Sequence, residues 1–210
     1  IINGAMTIDQ RNAGAAVTIT TGNEFSVDRF HCVTSVSSKY SAQQTTTVPA
    51  GFINSLKVTS LSAYTVGSSE QNIIRQNIEG VNFGDLAWGT ASASTVTLSF
   101  KVYSSLTGTF GGSIFNHNGS RSYPFTYTIG TANTWTDISV TIAGDQSGVW
   151  LSNNAVGATL SFGFGVGSAL SGTAGSWAGA YYPSATGAVS ILGTSGATFY
   201  ITGVQLEAGS

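Results

Sequence analysis

The sequence predicts an all-β protein, a two-sheet antiparallel β-sandwich of the jelly-roll kind. Three observations predict it. Apolar residues recur at every second position in one run after another. Gly, Asn and Pro punctuate those runs. No long helical pattern interrupts them. A chain of 210 residues is long enough for one sizeable all-β unit, and with no internal repeat or linker it reads as a single module over 1–210.

The firmest stretch runs from Thr95 to Ile142. Val96, Leu98, Phe100 and Val102 alternate with Thr97, Ser99, Lys101 and Tyr103. A turn at Thr107-Gly108 leads to Gly111–Phe115, and His117-Asn118-Gly119 makes the next turn. Tyr123, Phe125, Tyr127 and Ile129 then alternate with polar residues, as do Ile138, Val140 and Ile142. Each strand has one buried face and one wet face. Upstream, Met6–Arg11 reads as a short strand, and Val17 with Ile19 as another before a Gly22-Asn23 turn. A long polar strand is expected from His31 to Tyr40 and on toward Thr47, with a turn at Pro49-Ala50-Gly51 and a strand over Ser55–Thr59. Gln71–Gly80 could be mistaken for a helix, but frequent Asn and a turn signal at each end make it a strand. A short helical turn fits Val81–Trp88. Downstream, Leu160, Phe162, Phe164 and Val166 share one strand face, with Gly163 and Gly165 on the other. The segment 168–196 is rich in Gly, Ala and Ser yet holds Trp177, Tyr181 and Tyr182, so it is read as an ordered loop. The last strand spans Ala197–Glu207.

Composition narrows the function. Charged residues are 8% of the chain, against roughly 25% in an average soluble protein. A net charge of −2, with the basic residues scattered singly, makes no case for nucleic acid or an anionic membrane. No apolar run is long enough to span a bilayer. The single cysteine, Cys32, excludes an internal disulfide and a thiolate metal cluster. It adjoins His31, but strand neighbours face opposite ways, so the two share no site and Cys32 is expected to be buried and inert. A start at Ile1-Ile2-Asn3-Gly4, without an initiator Met or a signal peptide, reads as a module cut from a longer polypeptide.

Several motifs, in order, carry a resemblance. They are Asn3-Gly4, Asn54–Thr59, Val96–Val102, Asn133-Thr134-Trp135 ahead of Val140-Thr141-Ile142, and Phe199–Glu207. Together they resemble the jelly-roll carbohydrate-binding modules of the family 4/9/22 type. A second set, Ala5–Gly14, Arg121–Phe125 and Ile201–Gly209, looks like modules of bacteriophage tail fibres and other virion structural proteins. The resemblances imply a jelly roll, a polysaccharide or cell-surface glycan as partner, and display on a virion or outside a cell. Members of the carbohydrate-binding family carry an acid just after the opening Asn-Gly and an Asp in the last strand, which help hold a structural Ca²⁺. Here those positions read Ala5 and Thr202. No cofactor is therefore expected, and the calcium site is in question.

No catalytic constellation is legible. The nine acids form no obvious pair, and His31 and His117 are the only histidines. Sugar binding needs other parts: aromatic faces for the C–H faces of pyranose rings, and planar polar side chains for the hydroxyls. Two places offer them. On the Ile73–Glu79 strand, Arg75, Asn77 and Glu79 share one side, opposite Ile74 and Ile78. Lys101 and Tyr103 lie opposite the core set of the 96–103 strand, so if the two strands are neighbours, all five form one open patch; otherwise they are a solvated face with cross-strand ion pairs. The second place is the loop with Trp177, Tyr181 and Tyr182, read as a ligand platform, a subunit anchor, or a cap on the core. Trp88, Trp135 and Trp150 are assigned to packing. The expected function is a non-catalytic carbohydrate-binding module attaching a virion fibre or surface protein to glycans. The alternative is a structural module of a phage tail fibre, forming a homotrimer there and binding no sugar.

Overall fold

A computed structural model describes residues 1–20, 22 and 24–209. The Gly22-Asn23 turn involves Asn23, which lies outside the described residues. In chain order the strands are β1 (Val17–Thr18), β2 (Glu24–Val27), β3 (Phe30–Thr34), β4 (Tyr40–Thr45), β5 (Ser55–Ser60), β6 (Gln71–Glu79), β7 (Val96–Ser104), β8 (Gly108–Asn116), β9 (Ser122–Ile129), β10 (Thr136–Ile142), β11 (Val156–Val166), β12 (Ser171–Gly172), β13 (Ser184–Ala185) and β14 (Thr198–Ala208). Sheet I has the order β1-β4-β5-β14-β7-β10 and sheet II the order β2-β3-β6-β11-β8-β9, with every pairing antiparallel. The expected two-sheet sandwich is therefore present.

The alternation explains why these strands close on one core. Leu98, Phe100 and Val102 of β7 and Phe199 and Ile201 of β14 point inward from sheet I, and all are at most 2% exposed. Phe110, Phe125, Phe162 and Phe164 meet them from sheet II. Phe100 crosses to Phe162 and Tyr127 edge to face, at centroid distances of 5.0 and 5.1 Å. That geometry suits the aromatic quadrupole. Tyr40 of β4 spans the two layers: its hydroxyl donates to the Val33 and Ile73 carbonyls of sheet II at 3.0 and 3.2 Å. The two 3-10 turns over Gly80–Asn82 and Gly84–Leu86 supply the expected helical turn.

Four local expectations are corrected. Residues 31–47 are two strands on opposite sheets, β3 and β4, separated by a turn in which Ser38 takes a left-handed conformation (φ 62°). Met6–Arg11 is no strand. Asn3 organises it by side chain, donating to the Ile8 and Asp28 carbonyls and accepting from the Ile8 N–H. The strands of Thr95–Ile142, divided between sheet I (β7, β10) and sheet II (β8, β9), do not all keep a wet face: β8 is buried on both faces from Phe110 to Asn116. Val166 leaves the core face, because a bulge between Gly163 and Gly165 shifts the register and brings its side chain to the Gly163 side.

Cys32 is fully buried against Ser26, and burial pushes its thiol up to about 12. It is a packing residue, while His31 lies on the opposite face.

Candidate functional site

The outer face of sheet II is divided in two. One half, over β8, β9 and β11, is covered by residues 171–190. The glycines of that half permit the approach: a Cβ on Gly163 would lie 2.7 Å from the Ser184 hydroxyl, and one on Gly111 would lie 2.9 Å from the Ala185 nitrogen. Ser161 donates to the Pro183 carbonyl at 2.8 Å. The backbone of Ala178 exchanges two hydrogen bonds with Ser122.

The other half, over β2, β3 and β6, is open. It forms a cleft of about 440 Å³ lined by Arg11, Phe25, Asp28, Arg29, His31, Asn77 and Glu79, with 154–156 at its rim. Its floor follows from register. Phe25 pairs with His31 across the β2–β3 hairpin, and His31 pairs with Arg75 across β3–β6. The Phe25 and His31 rings lie 3.9 Å apart, tilted by 47°. The Arg11 guanidinium sits 4.4 Å above the Phe25 ring. It is held there by a turn in which the Asp9 carboxylate accepts from the Asn12 and Gly14 N–H groups, while Asn12 donates to the Phe25 and Ser26 carbonyls. Arg29, in the hairpin turn, has φ 75°. An L-residue there costs roughly 1 kcal/mol or more, and such strain concentrates at functional sites. Its guanidinium donates to Glu79 at 2.6 Å and to the Asn77 carbonyl at 3.3 Å. The Asn77 carboxamide oxygen accepts from Thr159 at 3.0 Å.

The electrostatics are asymmetric. The Arg29 hydrogen bond holds the Glu79 carboxyl below the usual carboxylate range. Burial, followed by repulsion from Arg75, Arg29 and Arg11, lowers the His31 pKa, so the imidazole is neutral at neutral pH. Its Nδ1 is buried and has no hydrogen-bond partner among the described residues.

The expected residues distribute as follows. Arg75, Asn77 and Glu79 share the outer face of β6, as the alternation predicts. Lys101 and Tyr103 do not join them: β7 pairs with β10 and β14 in sheet I, so the proposed five-residue patch does not exist. Lys101 instead pairs with Asp137 at 2.6 Å, and Tyr103 packs against Trp135 and Tyr200 on the outer face of sheet I. Tyr181 borders the open half of sheet II. Its hydroxyl donates to Gln71 at 2.8 Å, its ring packs on Phe115, and burial raises its pKa. Tyr182 packs beside Gly172 and Pro124, on the covered half. Trp177 belongs to an aromatic cluster with Trp88, Trp150 and Tyr123, and its indole donates to the Ala143 carbonyl. Beside that cluster Arg121 grips the buried Asp145 with two hydrogen bonds of 2.9 and 2.6 Å. Phe25, His31, Arg11 and Arg29 were not foreseen. Their signal was the hairpin itself, Phe25–Val27 and Phe30–Cys32 around Asp28-Arg29, hidden by reading 31–47 as one strand.

The calcium question can be tested against the donors present. Thr202 is buried and its hydroxyl donates to the Asn54 carbonyl at 2.8 Å, while Ala5 offers only a methyl group. Among the described residues no three of His, Cys, Asp and Glu cluster as metal ligands. The residues at these positions do not fit a carboxylate-rich Ca²⁺ site.

No protein-family model matches the chain, and no curated protein sequence matches it significantly. Solved structures do. A protein of Bacteroides thetaiotaomicron VPI-5482 classed provisionally as sugar-binding superposes with a TM-score of 0.54 at 12% identity, covering 100% of this chain and 99% of that one. The enzymatically active domain of tailspike protein 4 of bacteriophage CBA120 gives a TM-score of 0.51 at 13% identity over 92% of this chain; the chain spans only 21% of that domain. The likeness is one of fold. A family 4 carbohydrate-binding module is also among the neighbours, at a TM-score of 0.45 and 14% identity over 100% of this chain and 99% of that one, too distant to add to it.

Proposed function

We propose that the chain is a non-catalytic carbohydrate-binding module, attaching a virion fibre or other surface protein to glycans, and that the open cleft of sheet II holds the sugar. The observation that carries this reading is the Phe25–His31 ring pair set beside the planar polar side chains of Arg29, Asn77 and Glu79. Aromatic faces take up apolar sugar faces, and polar groups that would otherwise stay unpaired discriminate between hydroxyl patterns. The fold neighbour from Bacteroides thetaiotaomicron that is classed provisionally as sugar-binding is consistent with it. Glu79 is held as an acceptor and is no proton donor at neutral pH, which disfavours glycoside hydrolysis at this cleft. Binding at so open a site is individually weak, and repetition along a fibre would raise avidity. In affinity electrophoresis through polysaccharide gels, Phe25→Ala should abolish retention and Trp135→Ala should leave it unchanged. Retention that survives Phe25→Ala, or release of reducing sugar, would refute the reading.

One observation favours a second reading, a structural fibre module that binds no sugar. Tyr103, Trp135 and Tyr200 form a continuous aromatic strip on the outer face of sheet I, with Lys57 at its end. In that reading the strip is the subunit contact, as in a fibre trimer. Light scattering at rising concentration should then show an oligomer that Trp135→Ala dissociates.

A further inference from the structure

We infer that the free edge of β10 pairs with the same strand of a second copy, joining two sandwiches into a two-fold dimer through one continuous sheet. β10 is the outermost strand of sheet I, beyond β7. Its backbone orientation follows from two bonds of β7 and the residue after it. The Ser105 N–H donates to the Thr198 carbonyl of β14, and the Ser104 carbonyl accepts from the Asn133 N–H, just ahead of β10. Even-numbered residues of β7 therefore turn their backbone groups toward β10, and odd-numbered ones toward β14. In register, Ile138 lies opposite Phe100 and Val140 opposite Leu98, so these two bond inward. The N–H and C=O groups of Asp137, Ser139 and Thr141 point away from β7, and none of them is bonded among the described residues.

The other outermost strands are short or covered, as exposed edges usually are. β1 has two residues. β2 has four, and its Phe25 and Ser26 carbonyls accept from the Asn12 amide. β9 meets the long loop at its start, where Ser122 bonds Ala178 and the Pro124 carbonyl accepts from Gly175. β10 has no such device until Ala143, just past its end, whose carbonyl accepts from the Trp177 indole. Its side chains suit a copy of itself. Antiparallel pairing centred on Ser139 sets Ser139 against its counterpart, each Asp137 against the other chain's Thr141, and each Ile138 against the other chain's Val140. The outward-facing residues then exchange about six hydrogen bonds. Ile138 and Val140 are half-buried on the core side, and in the pair each covers the other's open flank. Asp137 is the strand's one charged residue. Lys101 holds it at 2.6 Å, and the pairing keeps the two Asp137 side chains at opposite ends of the contact. A two-fold contact uses up both edges, so assembly stops at the dimer.

Sedimentation velocity of the full chain at rising concentration tests this. The weight-average mass should climb toward twice that of the monomer. Ser139→Pro removes an N–H that the single chain does not use, and proline is tolerated on an edge strand. That variant should stay monomeric at every concentration, with its circular dichroism unchanged. Charge at position 141 tests the register. Thr141→Lys would face Asp137 of the other chain and should tighten the dimer at least about twofold, while Thr141→Asp should weaken it by about as much. Should Ser139→Pro fail to fold, the two substitutions at 141 decide alone. A chain that remains monomeric throughout would overturn the pairing, and so would a dimer indifferent to all three substitutions. A dimer that Trp135→Ala dissociates and Ser139→Pro leaves intact would move the contact to the aromatic strip of sheet I and overturn it equally.

Discussion

His31 sits where its charge is resisted, and that has a consequence for stability. Burial and then the three arginines lower its pKa below the usual 6.5. As pH falls, the unfolded chain takes up the proton first, so the full contribution is present above about 6.5 and is lost as pH falls toward the folded value. The melting temperature should therefore drop between about pH 7.5 and 5.5, and the drop should shrink in His31→Gln. Glu79 follows at lower pH: its depressed carboxyl stabilises the fold above its usual 4.5, and that contribution is lost as pH falls further. Tyr127 offers an opposite case. Its hydroxyl is buried in the core and has no hydrogen-bond partner among the described residues. A buried donor left unpaired costs about 1–3 kcal/mol. Tyr127→Phe should leave stability unchanged or raise it by about 1 kcal/mol in urea denaturation. A loss of more than that would mean the hydroxyl is satisfied.

At the scale of elements, the long loop is the part whose placement depends most on single residues. Its descent onto sheet II requires bare glycine at 111 and 163, where a side chain would collide with Ser184 and Ala185. Gly163→Val should lift β13 away and make the Tyr181–Tyr182 bond sensitive to chymotrypsin, while the native loop resists. The other end of the loop is anchored by Trp177 in its aromatic cluster, next to the Arg121–Asp145 pair. Asp145 is 1% exposed and also accepts from the Trp150 indole at 3.1 Å. Removing one partner of a buried pair strands the other charge, typically at about 3–5 kcal/mol. Asp145→Ala should cost about 3 kcal/mol by denaturant titration, far more than Asp137→Ala, whose exposed pair with Lys101 is worth about 1 kcal/mol at most.

For the whole molecule, β7 and β8 follow one another in sequence yet lie in opposite sheets, and β14 closes sheet I between β5 and β7. Such non-local pairing makes folding slow. Refolding followed by tryptophan fluorescence should take roughly milliseconds to seconds. The same topology explains what could be read in advance. Alternation in Val96–Val102 or Tyr123–Ile129 reveals a strand and its buried face, because that pattern is local. It does not reveal which strand lies beside it, because pairing is settled by long-range packing. Hence the faces of Arg75, Asn77, Glu79, Lys101 and Tyr103 were legible while their grouping was not. The cleft escaped for the same reason: Phe25, His31 and Arg75 become neighbours only through two register relationships across β2, β3 and β6.

The paired hydrogen bonds between Ser122 and Ala178 carry one more consequence. β9 is the last strand of sheet II, and without that contact the outward N–H and C=O groups at its start, Ser122–Pro124, would form a bare margin able to recruit a strand from another copy. The loop acts as a guard rail as well as a roof. A variant lacking residues 173–183 should keep its core but form thioflavin-positive assemblies on standing, where the intact chain stays dispersed.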